Sequence, residues 1–327
     1  MGDYDDTDET IESAHAAMLE FATRYPEYSS LAAKLRAAGP PSPRVLGTPI
    51  ILDTDIGGDP DDAVALTCAA RQPELALVIT ADEHNGQRAR LARYLLDLVG
   101  RPDVPVVAGA DLGNTRDWVA EGLTPTTIAA QPDNVIAAVR AICTDTDGPV
   151  RWVGCAPLTN LAAVLRAEPD LARQLVITQM GGAINYRDPA RAEHNFRLDP
   201  AAARFVVATA PELTLVLSDV TFTDEIAISA STDVFTTLSA PEGPEWAALL
   251  TAHLERWFSL RYPASKQHDP LTLTVALELP FVELSRPSIR VDADARMSVD
   301  PAGRPTWVTS DADYPAFRRW LATQLAT

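Results

Sequence analysis

Five aspartates fall within ten residues of this 327-residue chain: Asp53, Asp55, Asp59, Asp61 and Asp62. They follow the apolar run Ile50-Ile51-Leu52 and flank a Gly57-Gly58 turn that opens a helix-forming stretch. Carboxylates packed this densely repel one another and stay ionised together only where a cation or solvent neutralises them. Hard oxygen donors without neighbouring Cys or His suit calcium or magnesium rather than zinc. The plainer reading is a solvated acidic loop, with Asp59 capping the helix and Asp61-Asp62 at its positive N-terminal end. An EF-hand is excluded, because no Glu closes the twelfth position of a calcium loop.

Three further stretches carry polar groups in positions suited to chemistry. The first is Gly154-Cys155-Ala156-Pro157-Leu158-Thr159-Asn160-Leu161, after an apolar run and at a helix start. The second joins Gly181-Gly182-Ala183-Ile184-Asn185 to Glu193-His194-Asn195-Phe196-Arg197-Leu198-Asp199-Pro200. The third is Gln267-His268-Asp269-Pro270-Leu271. Singly, each has an ordinary explanation: a capped helix start, an N-cap aspartate before a first-turn proline at Asp199-Pro200, and another cap at His268-Asp269.

The elements that must position these groups alternate. Residues 48–52, 75–80, 104–107, 150–153, 175–179 and 213–217 read as short buried strands. Residues 60–71, 87–99, 133–144, 158–167 and 200–209 read as helices. This alternation indicates βαβ units and an α/β fold, an open mostly parallel sheet with helices on both faces. Ligands in such a sheet bind at the carboxyl ends of the strands, where the aspartate loop falls. Residues 243–278 read as mostly helical, and residues 288–291 and 306–309 as a hairpin before a helix over 313–326. Residues 1–45 read as a helical extension, broken near Tyr25-Pro26, and a proline-rich linker; residues 46–327 form the main domain.

Taken together, the four segments resemble the inosine-uridine-preferring nucleoside hydrolase family, over about residues 48–325. The aspartate loop is similar to its longer signature, with two extra residues between the glycine turn and the paired aspartates. The resemblance implies a Rossmann-like nucleoside hydrolase fold and a calcium-dependent N-ribosyl hydrolase that takes a small-molecule nucleoside. It implies that Asp55 is both a Ca2+ ligand and the base for the attacking water, that Asp62 is a bidentate ligand, and that Cys155 contributes its backbone carbonyl. Asp269 would complete the metal shell and touch the ribose 3′-hydroxyl. Asp61 would bind the 2′-hydroxyl, Asp53 would support the loop, and Glu193, Asn195 and Asn185 would hold the sugar. His268 would protonate the leaving base. Trp257 or Tyr262 is a candidate to stack on that base, plain core packing being the alternative. Two places depart from the family pattern. Arg187 stands where the family has its first sugar-contacting Asn, with Asn185 two residues earlier. The second-strand Gly-Asn is replaced by Ala81-Asp82-Glu83-His84-Asn85-Gly86, where Asp82 and Asn85 both compete for the sugar contact and Asn85-Gly86 also reads as a bare turn.

Composition narrows the partners. The formal net charge is -18, which repels a nucleic-acid polymer or an anionic membrane. The three cysteines, Cys68, Cys143 and Cys155, show no paired spacing, which argues against a disulfide framework or a zinc ribbon. The acidic N-terminus has no signal-peptide pattern, so a cytoplasmic setting is expected. A homodimer or homotetramer is expected. Three other readings compete. Arg187, Arg191 and Arg197 around Glu193 would suit a 5′-phosphorylated or otherwise modified ribosyl substrate. A non-catalytic ribosyl-binding member of the fold is the second. A haloacid-dehalogenase-type phosphatase also begins with DxD after a strand, but Gly-Gly-Asp-Pro-Asp-Asp fits it less well.

Overall fold

The run Ile50-Ile51-Leu52 opens strand β1 (Ile50–Thr54), which is buried along its whole length. A strand apolar on both faces needs cover on both, the position of a central strand in a parallel sheet. The computed structural model, which describes residues 11–38, 46–114, 118–260 and 262–326, places it there. β1 pairs in parallel with β2 (Leu75–Thr80) on one side and β4 (Val150–Gly154) on the other. β3 (Val106–Ala108) lies outside β2, while β5 (Leu175–Met180) and β6 (Glu212–Val216) continue beyond β4. Strand β13 (Trp307–Ala312) runs parallel to β6, and β9 (Val282–Ser285) closes the edge antiparallel to β13. The order is β3-β2-β1-β4-β5-β6-β13-β9. The winding therefore reverses between β1 and β4, and such a switch point leaves a crevice at the strand ends.

The pleat of β1 divides the core. Ile50 and Leu52 join one apolar cluster with Leu66, Leu250, Leu271 and Phe317. Ile51 joins the other, with Trp152, Leu161, Phe196 and Val206. The helices on the first face are α3 (Asp61–Ala70), α4 (Gln87–Leu98), α11 (Glu245–Ser259), α12 (His268–Ala276) and α13 (Tyr314–Gln324). The second face is covered by α5 (Val135–Thr144), α6 (Thr159–Ala167) and α8 (Pro200–Thr209), with the short α7 (His194–Leu198) before α8. The expected α/β architecture with helices on both faces is present. No helix among the described residues is long and apolar enough to cross a membrane.

In the C-terminal third, residues 243–278 are mostly helical as expected, with β8 (Ala264–Lys266) between α11 and α12 and paired with β7 (Ala227–Ser229). One expectation there is corrected. The segments 288–291 and 306–309 do not pair as a hairpin. β10 (Ser288–Val291) instead pairs with β11 (Met297–Val299) and β12 (Arg304–Pro305). Ala295, at φ 62, turns the chain back early. Val308 and Thr309 of β13 are buried in the main sheet, an apolar position that a solvent-side hairpin does not offer.

The chain divides into two compact units with the boundary between Arg44 and Val45. In the first, α1 (Ile11–Arg24) and α2 (Ser29–Ala38) are separated by a short 3-10 turn at Pro26–Tyr28. Tyr25 is extended (φ -114, ψ 115), as the residue before a proline prefers.

Candidate active site

Asp53 and Thr54 are the last residues of β1, and Asp61 and Asp62 are the first of α3. The loop between them turns at Gly57, where φ is +105 and an added Cβ would lie 2.3 Å from the Trp118 ring. Only glycine meets both conditions. At the switch point the end of β4 approaches equally closely. A Cβ on Gly154 would sit 2.0 Å from Gln179 Oε1, and the Cys155 amide donates to the Asp53 carbonyl at 2.7 Å. The first turn of α12, carrying His268 and Asp269, completes the crevice, and α12 packs against α3. Two helix N-termini thus converge on the aspartates and supply amide donors to carboxylates.

Carboxylate oxygens of Asp61, Asp62 and Asp269 lie within 4.8 Å of one another, and all three residues are buried. Asp61 and Asp62 are held in place by hydrogen bonds. Asp62 Oδ1 accepts from Thr54 Oγ1 at 2.5 Å and from the Asp55 amide at 3.2 Å. Asp61 accepts from the amides of Asp269 and Asp62. Burial, followed by the charges of the neighbouring aspartates, drives Asp61, Asp62 and Asp269 well above the usual carboxylate range. Asp53 is pushed up to about 8 by burial despite its bond from Asn160, and Asp59 to about 7 by burial despite its bond from Ser265. Asp55 is half-buried, and its charge acts on Asp53, Asp59, Asp61, Asp62, Asp269 and Cys155. So many buried acidic groups ionise together only beside a cation, and an all-oxygen donor set fits a hard divalent ion.

The other expected site residues divide. Cys155 is buried beside the carboxylates, whose charge adds to burial in raising its thiol well above the ordinary range. A neutral thiol leaves the carbonyl as the ligand on offer. That carbonyl accepts from Asn195 Nδ2 at 3.1 Å, which brings Asn195 to the carboxylate side of the crevice. Glu193 is buried, and its Oε2 takes the amides of Gly182 (3.0 Å) and Phe196 (3.3 Å). His268 Nδ1 meets the Thr221 hydroxyl at 2.7 Å. Burial, with the charges of Lys266, Arg187 and His194, lowers its pKa to about 3. Asn185 lies at the surface, where its amide and Nδ2 both bond Asp219 Oδ1 (2.7 and 3.2 Å). Asn85 is exposed in a left-handed turn at φ 52, with Gly86 following at φ 74. Asp82, its competitor, is fully buried 3.6 Å from Arg88. Trp257 stacks on Tyr262 with ring centroids 4.2 Å apart and donates to the Ala264 carbonyl.

A profile of inosine-uridine preferring nucleoside hydrolases matches residues 50–319 of the chain. The chain belongs to that family. Hydrolysis of the N-glycosidic bond of ribonucleosides is the activity that this membership carries. Among relatives of the family, a pyrimidine-specific ribonucleoside hydrolase RihA of Enterobacter sp. is 29% identical over 293 residues, 82% of this chain and 89% of that protein. The Escherichia coli protein of the same name is 28% identical over 293 residues. The fold matches a plant nucleoside hydrolase, PpNRh1, with a TM-score of 0.71 at 21% identity, covering 86% of this chain and 99% of that one. It also matches a purine-preferring ribonucleoside hydrolase of Gardnerella vaginalis, with a TM-score of 0.68 at 23% identity, covering 85% and 98%.

Several residues of this hydrolase's crevice escaped the sequence reading. Asn160, in sequence only part of a helix start, donates Nδ2 to Asp53 Oδ1 (2.8 Å) and to the Thr80 carbonyl (2.9 Å), and accepts from the Ala110 amide (2.9 Å). Arg88 is fully buried and donates to the carbonyls of Asp55, Ile56 and Asp82. Ser265, on β8, donates to Asp59. Asp59 thus ties the loop to β8 as well as accepting from the Asp61 amide at the helix start.

Asn160→Ala leaves two buried partners and the half-buried Ala110 amide without their bonds and is expected to cost about 3 kcal/mol of stability, read by denaturant unfolding. His253 is a fourth missed residue. On α11, it is buried with Nε2 3.0 Å from the Gly58 carbonyl. Burial lowers its pKa from 6.5 to about 4, so below pH 6.5 the unfolded chain takes up the proton that the folded protein refuses. Stability is therefore lost as pH falls, by about 3 kcal/mol between pH 7 and pH 4 from this group. In unfolding titrations across that range, His253→Gln should show a pH dependence flatter by that amount.

Proposed function

We propose that the chain hydrolyses ribonucleosides with Asp55 as general base, and with Asp55, Asp62, Asp269 and the Cys155 carbonyl holding Ca2+. The observation that carries this reading is the buried convergence of the Asp61, Asp62 and Asp269 oxygens at the β1–β4 switch point. When bound, the cation neutralises these carboxylates and polarises a water and the sugar hydroxyls. Asp55 takes a proton from the attacking water, whose oxygen bonds to C1′. The C1′–N bond breaks with its electron pair going to the base, through an oxocarbenium-like sugar that the surrounding carboxylates favour. Asp61, Asn195 and Asp269 fix the 2′- and 3′-hydroxyls. Asp53 orients the loop through Asn160.

His268 assists the leaving base as a hydrogen-bond donor. In the tautomer whose Nδ1 accepts from the Thr221 hydroxyl the ring proton sits on Nε2, and the lowered pKa keeps the imidazole neutral. The Trp257–Tyr262 pair is the aromatic surface for the base. Relatives named for pyrimidine, purine and inosine-guanosine substrates all share this fold or family, so the test must span both base classes. Free ribose and free base should appear in equal amounts from at least one purine or pyrimidine ribonucleoside. A preparation with bound calcium that releases ribose from none contradicts the proposal.

A further inference from the structure

Arg187 stands out among the arginines near the crevice because it sits on two aromatic rings and not on a carboxylate. Among the described residues no ion pair includes it, and it is exposed. The acidic groups nearest in sequence or fold are committed elsewhere. Asp188 closes a turn on the Ala190 amide, Asp219 holds the amides of Ile184 and Asn185, and Glu193 holds those of Gly182 and Phe196. The guanidinium lies 4.1 Å from the Phe222 ring centroid and 4.5 Å from that of Tyr186. An arginine stacked on aromatic faces keeps the N–H edge of its fork free for an acceptor.

A second cation shares the Phe222 ring. Lys266 Nζ lies 4.9 Å from its centroid and pairs with Asp224, whose carboxylate is in open solvent. The ring stacks in turn on His268, at 6.2 Å and 20°. The neighbouring Arg197 is engaged otherwise, turned onto the Ala192 carbonyl and His194 Nδ1, both at 3.1 Å. Two like charges against one ring repel, and an anion drawn to them relieves that repulsion. In a protein of net charge -18, such a patch beside a crevice of carboxylates is a local exception that a neutral nucleoside does not use.

We propose that Arg187 and Lys266, seated on Phe222, form the receptor for an anionic group on the substrate. The preferred substrate is then a ribonucleoside carrying a phosphate on C5′ or a carboxylate on its base. This rests on the hydrolase reading and leaves its chemistry unchanged: water supplies the hydroxyl to C1′, the base departs with the bond's electron pair and a proton, and the anion is carried through intact. A charge-assisted, forked contact of this kind discriminates strongly between charged and neutral partners.

The test compares kcat/KM for a nucleoside, its 5′-monophosphate and an analogue carboxylated on the pyrimidine ring, using the wild type and Arg187→Gln. One anionic substrate should exceed the neutral one by at least about tenfold in the wild type, and which one does so names the source of the charge. Arg187→Gln should lower that ratio at least about tenfold, and Arg187→Lys should restore part of it. Calorimetry with ribose 5-phosphate against ribose, and with the free carboxylated base against the uncarboxylated one, reads the same receptor without turnover. Preferential binding of one anion, lost in Arg187→Gln, with no base released from any substrate supports the receptor and sinks the hydrolase reading. Turnover of neutral nucleosides with no anion preference in either assay, and a ratio unmoved by Arg187→Gln, overturns this inference alone.

Discussion

Asp55→Asn should lower kcat by about 10³-fold or more, the share that a positioned base supplies, and should leave the fold intact. The same substitution should raise the melting temperature of the chelated protein. The negative charge of Asp55 adds to the burial cost of Asp53, Asp59, Asp61, Asp62 and Asp269, and an amide removes that repulsion. Loss of turnover with gain of metal-free stability separates a working base from a structural prop, because losing a prop lowers both. Steady-state kinetics on the best nucleoside, with thermal melts in chelator, provide both readings. Turnover within a few-fold of wild type would remove Asp55 from the base position.

Asp62→Asn should weaken cation binding by more than about 100-fold, beyond the 10- to 100-fold typical of partners outside the ligand shell. Its Oδ1 is fixed by the Thr54 hydroxyl and the Asp55 amide, so the carboxylate cannot be replaced by a neighbour without moving β1. Activity lost at low calcium should return in part at millimolar calcium. The wild type carries a linked pH signature. Asp62 and Asp269 have folded pKa values raised above the unfolded value of 3.8, so their ionisation destabilises the metal-free protein. That protein should gain stability as pH falls through those raised values, and cation affinity should fall over the same interval as protons compete for the oxygens. Calorimetric calcium titrations of wild type and Asp62→Asn at two pH values measure both effects. An Asn variant that binds calcium like the wild type would place the ion elsewhere.

Much of the fold was readable because its signals are local. Ile50-Ile51-Leu52 reads as a central strand without knowledge of its neighbours, and each βα turn carries its own glycine, cap or proline. Pairing between distant segments is not local. Residues 288–291 and 306–309 have the residue types of a hairpin, yet β13 finds its partners in β6 and β9. The aspartate loop was legible for the same reason as β1, since its donors sit within ten residues of one another. Its supports were not. Ser265, His253 and Arg88 reach Asp59, Gly58 and the Asp55 carbonyl from other strands and helices, and no spacing in the sequence records those contacts. Arg187 was visible as a departure at the sugar contact, but its seat on Phe222 required the fold.

The most direct measurement of the central claim is ribose release by protein stripped of metal and then titrated with calcium. Turnover should be absent after stripping and should rise in proportion to added calcium, reaching its plateau near one ion per chain. Full turnover by the stripped protein would show that the carboxylate crevice does its chemistry without a cation, contrary to this account.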